Sequence, residues 1–577
     1  MRRSLLALGL CCLAATATAT AAEVTLLIAG KIHTSDPGQP ATDAMAWDQG
    51  GTLLAVGTAA QLQARYPQAR RIAQPQGTVI PGLIDAHGHV MGLGHALMRA
   101  DLVGVGSVEE AIERLRQFER QLPPGAWLLG GGWDQNRWPG KRFPTAADLD
   151  AAFPDRPVWL ERVDGHAGWA NSAALRAALK AGARPLEGDW QPPGGRIERV
   201  GGEPSGVLVD AAMGLVEKAV PAPDEATREQ ALRRSMQAAV SNGLTGVHDM
   251  GTSRQDLALM KRLADAGQLQ LRIDAYADGD REALDDLCTG GLYRHEGGRL
   301  QMRGVKLYMD GALGSRGAAL LEDYSDDPGN RGLLVTDPAA FESAVRKAKG
   351  CQVQVAAHAI GDRANRIVLD TFARVLGDDA GDDHRWRIEH AQVVSLEDIP
   401  RFAPMGVIAS MQPTHATSDM PWAQDRVGPE RILGAYAWQR FRASGARLAL
   451  GSDFPVESPD PRLGLYAAVT RQDLEGDPAG GWLADQRLSV AEALRGFTAD
   501  AAYAGRDDGQ VGRLAPGLRA DFVILSQDPL ELPADALDTL AIESTWVDGR
   551  AVYEARATAG DAGAQASLDQ EKAANAR

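Results

Sequence analysis

Val79-Ile80-Pro81-Gly82-Leu83-Ile84-Asp85-Ala86-His87-Gly88-His89 is an apolar run that ends in His-x-His. As a strand, its two-residue period turns both imidazoles to the same face. Neutral imidazole is the commonest protein ligand for zinc and also suits iron, copper and nickel, so a like-facing pair is half of a metal site. The chain has 577 residues and 11 histidines, a frequency at which about 0.2 such motifs arise by chance. The meaning of the motif therefore depends on what surrounds it.

Downstream, strand-like runs at 244–248, 304–308, 353–358, 385–390, 406–411 and 447–451 alternate with helical patterns. That alternation, from about 81 to 505, implies a parallel α/β architecture. Lys306, His358, His390 and Asp453 each sit at or just past the end of such a run. In a parallel barrel the C-terminal ends of the strands converge on one mouth, where such barrels place their chemistry. His87, His89, Lys306, His358, His390 and Asp453 are thus candidates for one shared site. Each alone has a plainer reading: a hydrogen-bonded core histidine for His358 or His390, a helix cap for Asp453, a surface charge for Lys306.

The alternation is interrupted from about 101 to 235 by a stretch containing Trp127, Trp133, Trp138, Trp159, Trp169 and Trp190 and punctuated by Pro192-Pro193-Gly194-Gly195. It is expected to be an insertion over the barrel mouth. One helix within it is expected over 107–122, with Ser107 and Glu110 as a capping box and Val108, Ala111, Ile112, Leu115, Phe118 and Leu122 on one face. At the N-terminal end, 24–28, 44–47 and 52–56 read as short strands; 521–525 and 544–553 repeat that style, with Asp548-Gly549 as a hairpin signal. The two ends, 23–80 and 506–556, are expected to share one small β domain, followed by a tail at 557–577.

Met1-Arg2-Arg3, the mostly apolar residues 5–15 and the small residues after them follow the order of a secretory signal, cut near Ala22. Export to the periplasm or medium is expected. Cys11 and Cys12 would leave with the signal; Cys288 and Cys351 could form one disulfide in an oxidising compartment, but they lie 63 residues apart, which says nothing about their distance in space, and the sequence leaves their pairing open. No later run of 18 apolar residues occurs, so no membrane span is expected. Lys and Arg number 60 against 76 Asp and Glu, a net charge of −16 without a basic tract, which argues against a nucleic-acid partner. The sequence has no Gly-x-Ser-x-Gly elbow, no Gly-x4-Gly-Lys-Ser/Thr loop and no cysteine pattern for structural zinc. Among catalytic constellations, the candidate metal site is left without a close competitor.

From about 24 to 555 the chain resembles the metal-dependent amidohydrolase superfamily, in particular amidohydrolase family 3, the branch that includes N-substituted formamide deformylase. The resemblance rests on Pro-Gly-Leu-Ile-Asp-Ala-His-Gly-His at 81–89, Val-Lys-Leu-Tyr-Met-Asp-Gly-Ala-Leu-Gly-Ser-Arg at 305–316 and His-Ala-Ile-Gly-Asp at 358–362. Arg-Ile-Glu-His-Ala-Gln at 387–392, Gly-Ser-Asp-Phe-Pro-Val at 451–456 and Gly-x-Leu-x-x-Gly-x-x-Ala-Asp at 512–521 complete it.

The resemblance implies a (β/α)8 TIM barrel beside a small composite β-sandwich built from both chain ends. It implies one or two divalent ions, zinc first, with His87 and His89 on one and His358 and His390 on the other. Lys306 would bridge them as an N-carboxylysine, since a carbamate offers anionic oxygens where an ammonium repels cations, and burial near cations favours the neutral amine that CO2 requires. Asp453 would act as ligand and as general base and acid. Asp310, Arg316 and, from the insertion, His166 beside Trp169 and Asn171 are weaker substrate-binding candidates. The expected reaction is hydrolysis of a non-peptide C–N bond in an amide, N-formyl group or cyclic amide. An ester or lactone hydrolase, or an exported binding protein without turnover, are the alternatives; a homo-oligomer is compatible with all of these.

Overall fold

The computed structural model describes residues 23–555 except Pro185, Glu187 and Asp280; the signal expected at 1–22 and the tail expected at 557–577 lie outside the described residues. Eight parallel strands form the centre, Leu83–Gly88, Leu244–Thr252, Arg272–Ala277, Leu300–Tyr308, Gln354–Ala359, Arg387–His390, Ile408–Met411 and Leu448–Leu450, each paired with the next in that order. The ladder stops short of linking the eighth strand to the first, but the loop after the eighth closes the gap. Asp453 N–H donates to the His87 carbonyl at 2.6 Å and His89 N–H to the Phe454 carbonyl at 2.8 Å. Asp85, on the first strand, accepts from Ser452 N–H at 3.0 Å and Ser452 Oγ at 2.6 Å. The barrel is thus nearly closed, and those bonds bring the two ends of the site-bearing sequence side by side.

Strand alternation sorts the side chains. On Arg387–His390, Ile388 packs outward into the large apolar layer beneath the helices, while Arg387 and Glu389, both fully buried, point inward. Buried charges demand partners. Arg387 donates to Glu389 Oε1 at 2.5 Å and Oε2 at 3.0 Å, to Ser410 Oγ at 2.6 Å and to the Ala86 carbonyl at 2.5 Å, and pairs with His248 Nδ1 at 2.8 Å.

The chain ends share one seven-stranded mixed sheet, with the strand Arg70–Pro81 between Thr25–His33 and Phe522–Leu525. Ala41–Trp47 and Phe522–Leu525 stand three places apart in it, about 14 Å in a flat sheet. Yet Trp47 and Phe522 bring their ring centroids to 5.6 Å, so the sheet curls over its own apolar face in the manner of a sandwich.

The interrupting segment forms a six-stranded sheet between Ala100 and Asp210. Trp133, Trp138 and Trp169 fill one side and Trp159 the other; the indole N–H groups of Trp133, Trp138 and Trp169 donate to the carbonyls of Leu160, Val105 and Thr145. Helix Val108–Glu119 is capped by Ser107, but Glu110 turns its carboxylate to Gly106 N–H at 2.8 Å, so Ser107 caps it without the reciprocal bond expected. The helix Glu225–Ser241 that follows packs Leu232, Met236, Ala239 and Val240 into the barrel's outer layer.

Cys288 and Cys351 form a disulfide with Cα atoms 5.1 Å apart, a pairing that the sequence left open. Helices Arg281–Gly290 and Pro338–Gly350 lie side by side outside the fourth barrel strand, and Cys351 caps the second of them. Adjacency created by the barrel wrap, and invisible in linear spacing, makes the pair. No helix among the described residues is long and apolar enough to cross a membrane.

Candidate metal centre

His87 ends the first strand and His89 follows as the residue before helix Val90–Ala96. Lys306 lies on the fourth strand, His358 on the fifth, His390 at the end of the sixth and Asp453 just past the eighth. The barrel wrap brings all six together. Asp453 Oδ1 is 3.4 Å from His87 Nε2 and 3.1 Å from His89 Nε2; its Oδ2 is 3.9 Å from His390 Nδ1. Lys306 Nζ is 3.0 Å from His87 Nε2, and the His358 ring lies 4.6 Å from that of His390. His390 and Asp453 hold positive φ of 71° and 64°, a left-handed backbone that is uncommon outside glycine and gathers at functional sites.

One donor was not among the sequence candidates. His415, on helix Pro413–Asp419 after the seventh strand, places Nε2 3.7 Å from Asp453 Oδ2 and stacks on His390 at 5.9 Å. Asp453 is thereby shared by two groups able to hold a cation, His87–His89–Asp453 and His390–His415–Asp453. The signal for His415 was its place just beyond a strand end, but the seventh strand carried no histidine at its own terminus to draw attention there. Glu389 was quoted in a motif without a role; it accepts from His87 Nδ1 at 2.6 Å, which turns Nε2 toward the cluster and raises its basicity as a donor.

The donor set fits a metal. His358 Nε2, His415 Nε2 and Asp453 Oδ1 are buried without a hydrogen-bond partner, a costly state for a protein interior unless something else satisfies them. Burial, with the Lys306 charge beside it, holds His87 well below its usual range. Burial likewise lowers His358, near His166 and Lys306, and His390, near His358. Neutral imidazole is the ligating form. Burial works against the Asp453 carboxylate, but the His87 and His89 imidazoles outweigh it and keep the acid well below the usual range. Burial brings the Lys306 ammonium down to about 8 against the pull of Glu389 and Asp453, so the neutral amine is within reach.

The three weaker candidates separate. Arg316 turns away to pair with Asp326 at 2.9 Å, a carboxylate it shares with Arg426, and is not brought to the cluster. Asp310 is fully buried 3.6 Å from His358 Nε2. Its oxygens accept the N–H groups of Ala319, Ile360 and Gly361 at 2.8, 3.0 and 2.8 Å, so it ties the loops after the fourth and fifth strands together. His166 does reach the mouth, its ring 5.5 Å from that of His358. Trp169 is buried in the inserted sheet, and Asn171 caps helix Ser172–Lys180, its side chain accepting from Ala174 N–H.

A family model described as the amidohydrolase family matches residues 75–553. YtcJ of Bacillus subtilis (strain 168), which bears an amidohydrolase name, is 34% identical over 512 residues, covering 87% of this chain and 94% of its own. N-substituted formamide deformylase of Arthrobacter pascens is 28% identical over 528 residues, 88% of this chain and 94% of its own. Among solved structures, an uncharacterized metal-dependent hydrolase from Pyrococcus horikoshii OT3 aligns with a TM-score of 0.73 at 29% identity, over 89% of this chain and 99% of that one.

Proposed function

Because the chain belongs to the amidohydrolase family and carries a His-His-Asp metal site, we propose that it hydrolyses a non-peptide C–N bond in a small amide, N-formyl compound or cyclic amide. The observation that carries this reading is Asp453, one carboxylate placed between two histidine groups with an oxygen toward each. His87 and His89 would hold one divalent ion and His358 and His390, with His415 alongside, a second; zinc suits the imidazole-rich set. A divalent ion in such a site lowers the pKa of a bound water and polarises a carbonyl. Asp453 accepts the proton of the attacking water and delivers it to the leaving nitrogen, so one residue serves both transfers. Lys306, whose Nζ lies 3.0 Å from His87 Nε2, would join the ligand set as its CO2 adduct. The relative named N-substituted formamide deformylase favours the N-formyl class.

Metal analysis of the purified chain together with a panel of N-alkylformamides, anilides and cyclic amides tests the reading. About one to two equivalents of zinc, with release of amine in the wild type and none after chelation, is expected. Less than about 0.2 equivalents after reconstitution with zinc and bicarbonate would sink it. A carbamate signal from 13C-bicarbonate that vanishes in Lys306→Ala checks the adduct. Export is the remaining part of the proposal: the order of the first 22 residues supports it, and so does the Cys288–Cys351 bridge, which belongs to oxidising compartments. Mass spectrometry of the cell-fractionated protein should find a mature chain beginning near Glu23 outside the cytoplasm.

A further inference from the structure

His166 comes to the mouth from the tip of a hairpin, between the strands Val158–Arg162 and Ala167–Ala170 of the inserted sheet. Two bonds fix it to Asp210, which ends the strand Glu203–Asp210: its carbonyl accepts Asp210 N–H at 3.0 Å, and its Nδ1 meets Asp210 Oδ1 at 2.7 Å. The Asp210 carboxylate is 2% exposed, and its second oxygen has no hydrogen-bond partner. The barrel presses on that oxygen from the other side. A Cβ at Gly311 or Gly317, in the loop after the fourth barrel strand, would lie 2.8 or 2.7 Å from Asp210 Oδ2. A side chain at either position would displace the carboxylate, so the two glycines let this barrel loop close on it. With Nδ1 engaged, Nε2 is the one ring nitrogen left for a ligand, on a side chain that is 24% exposed.

We propose that His166 is a catalytic residue whose Nε2 donates a hydrogen bond to the carbonyl oxygen of the scissile amide as that oxygen gains charge, with Asp210 as its positioning residue; this rests on the amidohydrolase reading above. The layout of the mouth assigns the oxygen rather than the leaving nitrogen. The His166 ring lies 5.5 Å from that of His358, the His358 ring lies 4.6 Å from that of His390, and Asp453 Oδ2 is 3.9 Å from His390 Nδ1. In the proposed pose a substrate lies over the histidines with the proton carrier on one side and His166 on the other. An amide whose nitrogen faces Asp453 turns its oxygen to His166. A carboxylate at Nδ1 fixes the ring's orientation and stabilises the imidazolium, the form in which Nε2 also carries a proton and can donate it.

The test uses the full chain loaded with zinc and inorganic phosphate as a tetrahedral oxyanion probe, followed by calorimetry, beside formate release from N-butylformamide. In His166→Ala the phosphate Kd should rise about tenfold and kcat fall about 10²–10³-fold with little change in KM. Zinc stoichiometry should stay at the wild-type value, and added imidazole should restore part of kcat. Asp210→Asn, which keeps the volume and removes the charge, should shift both in the same direction and by less; it decides the matter if His166→Ala does not fold. Wild-type phosphate affinity in whichever of the two variants folds, at unchanged zinc content, overturns the proposal, as does failure of the loaded wild type to bind phosphate. A wild type that cleaves no amide, while His166→Ala still loses phosphate, would instead count against the hydrolase reading alone.

Discussion

Lys306, His358 and His390 reach the mouth from barrel strands paired on both sides, and His87 from the first strand, paired with the second and bonded to the loop after the eighth. His166 reaches the same mouth from a hairpin tip, held by one carboxylate and by glycines of a barrel loop. The two regions also differ in how they are built. The barrel buries ionic groups in a connected network, Arg387 bridging Glu389, His248 and Ser410; the inserted sheet packs Trp133, Trp138 and Trp169 in tilted and edge-to-face pairs with ring centroids 6.0–6.1 Å apart. A barrel rim supplies reactive groups at fixed spacing. A sheet laid across it can add a group where no strand ends, at the cost of depending on docking for its aim.

This contrast can be broken by experiment. Asp453→Asn should lower kcat about 10³–10⁴-fold in the amide assay with the fold intact, as expected when one group makes both proton transfers; a loss under tenfold would mean that the rim does not carry the chemistry. Trp133→Ala should cost the inserted sheet about 3–5 kcal/mol in denaturant unfolding, while zinc uptake by the barrel stays at the wild-type stoichiometry. Simultaneous loss of zinc would show that the two regions are one cooperative unit. Cys288→Ser should destabilise the barrel by about 2–4 kcal/mol and leave the unfolding of the inserted sheet, which has no cysteine, where it was. The smallest effect sharpens the role of the interior network. Glu389→Gln should weaken zinc affinity about 10–100-fold in a chelator competition, because His87 loses the carboxylate that orients it, and an unchanged affinity would assign Glu389 to packing with Arg387 alone.

Much of the rim was legible before any fold was in hand, because a strand end is a local event. An apolar run that stops at a histidine or lysine, repeated at intervals, needs only the rule that parallel strands finish together. The interior partners were less legible: Arg387 and Glu389 stand two apart on a strand, but nothing in that spacing says which histidine either will face. His415 stayed hidden because it belongs to the first turn after a strand rather than to the strand. Arg316 was open for a related reason. Its position after the Lys306 strand allowed either a place at the mouth or a loop salt bridge, and the loop turns its guanidinium to Asp326.

By itself the amino-acid order determined the alternating barrel, the polar residues at its strand ends, the tryptophan-rich interruption and the sharing of one sheet by both chain ends. Those follow from periodicity, turn chemistry and motif, which act over a few residues. Only tertiary structure decided that Cys288 meets Cys351, that His415 and His390 share Asp453, and that Asp210 aims His166 at the mouth. Each of these joins segments separated by tens of residues, and such distances close only when the strands wrap and the inserted sheet docks.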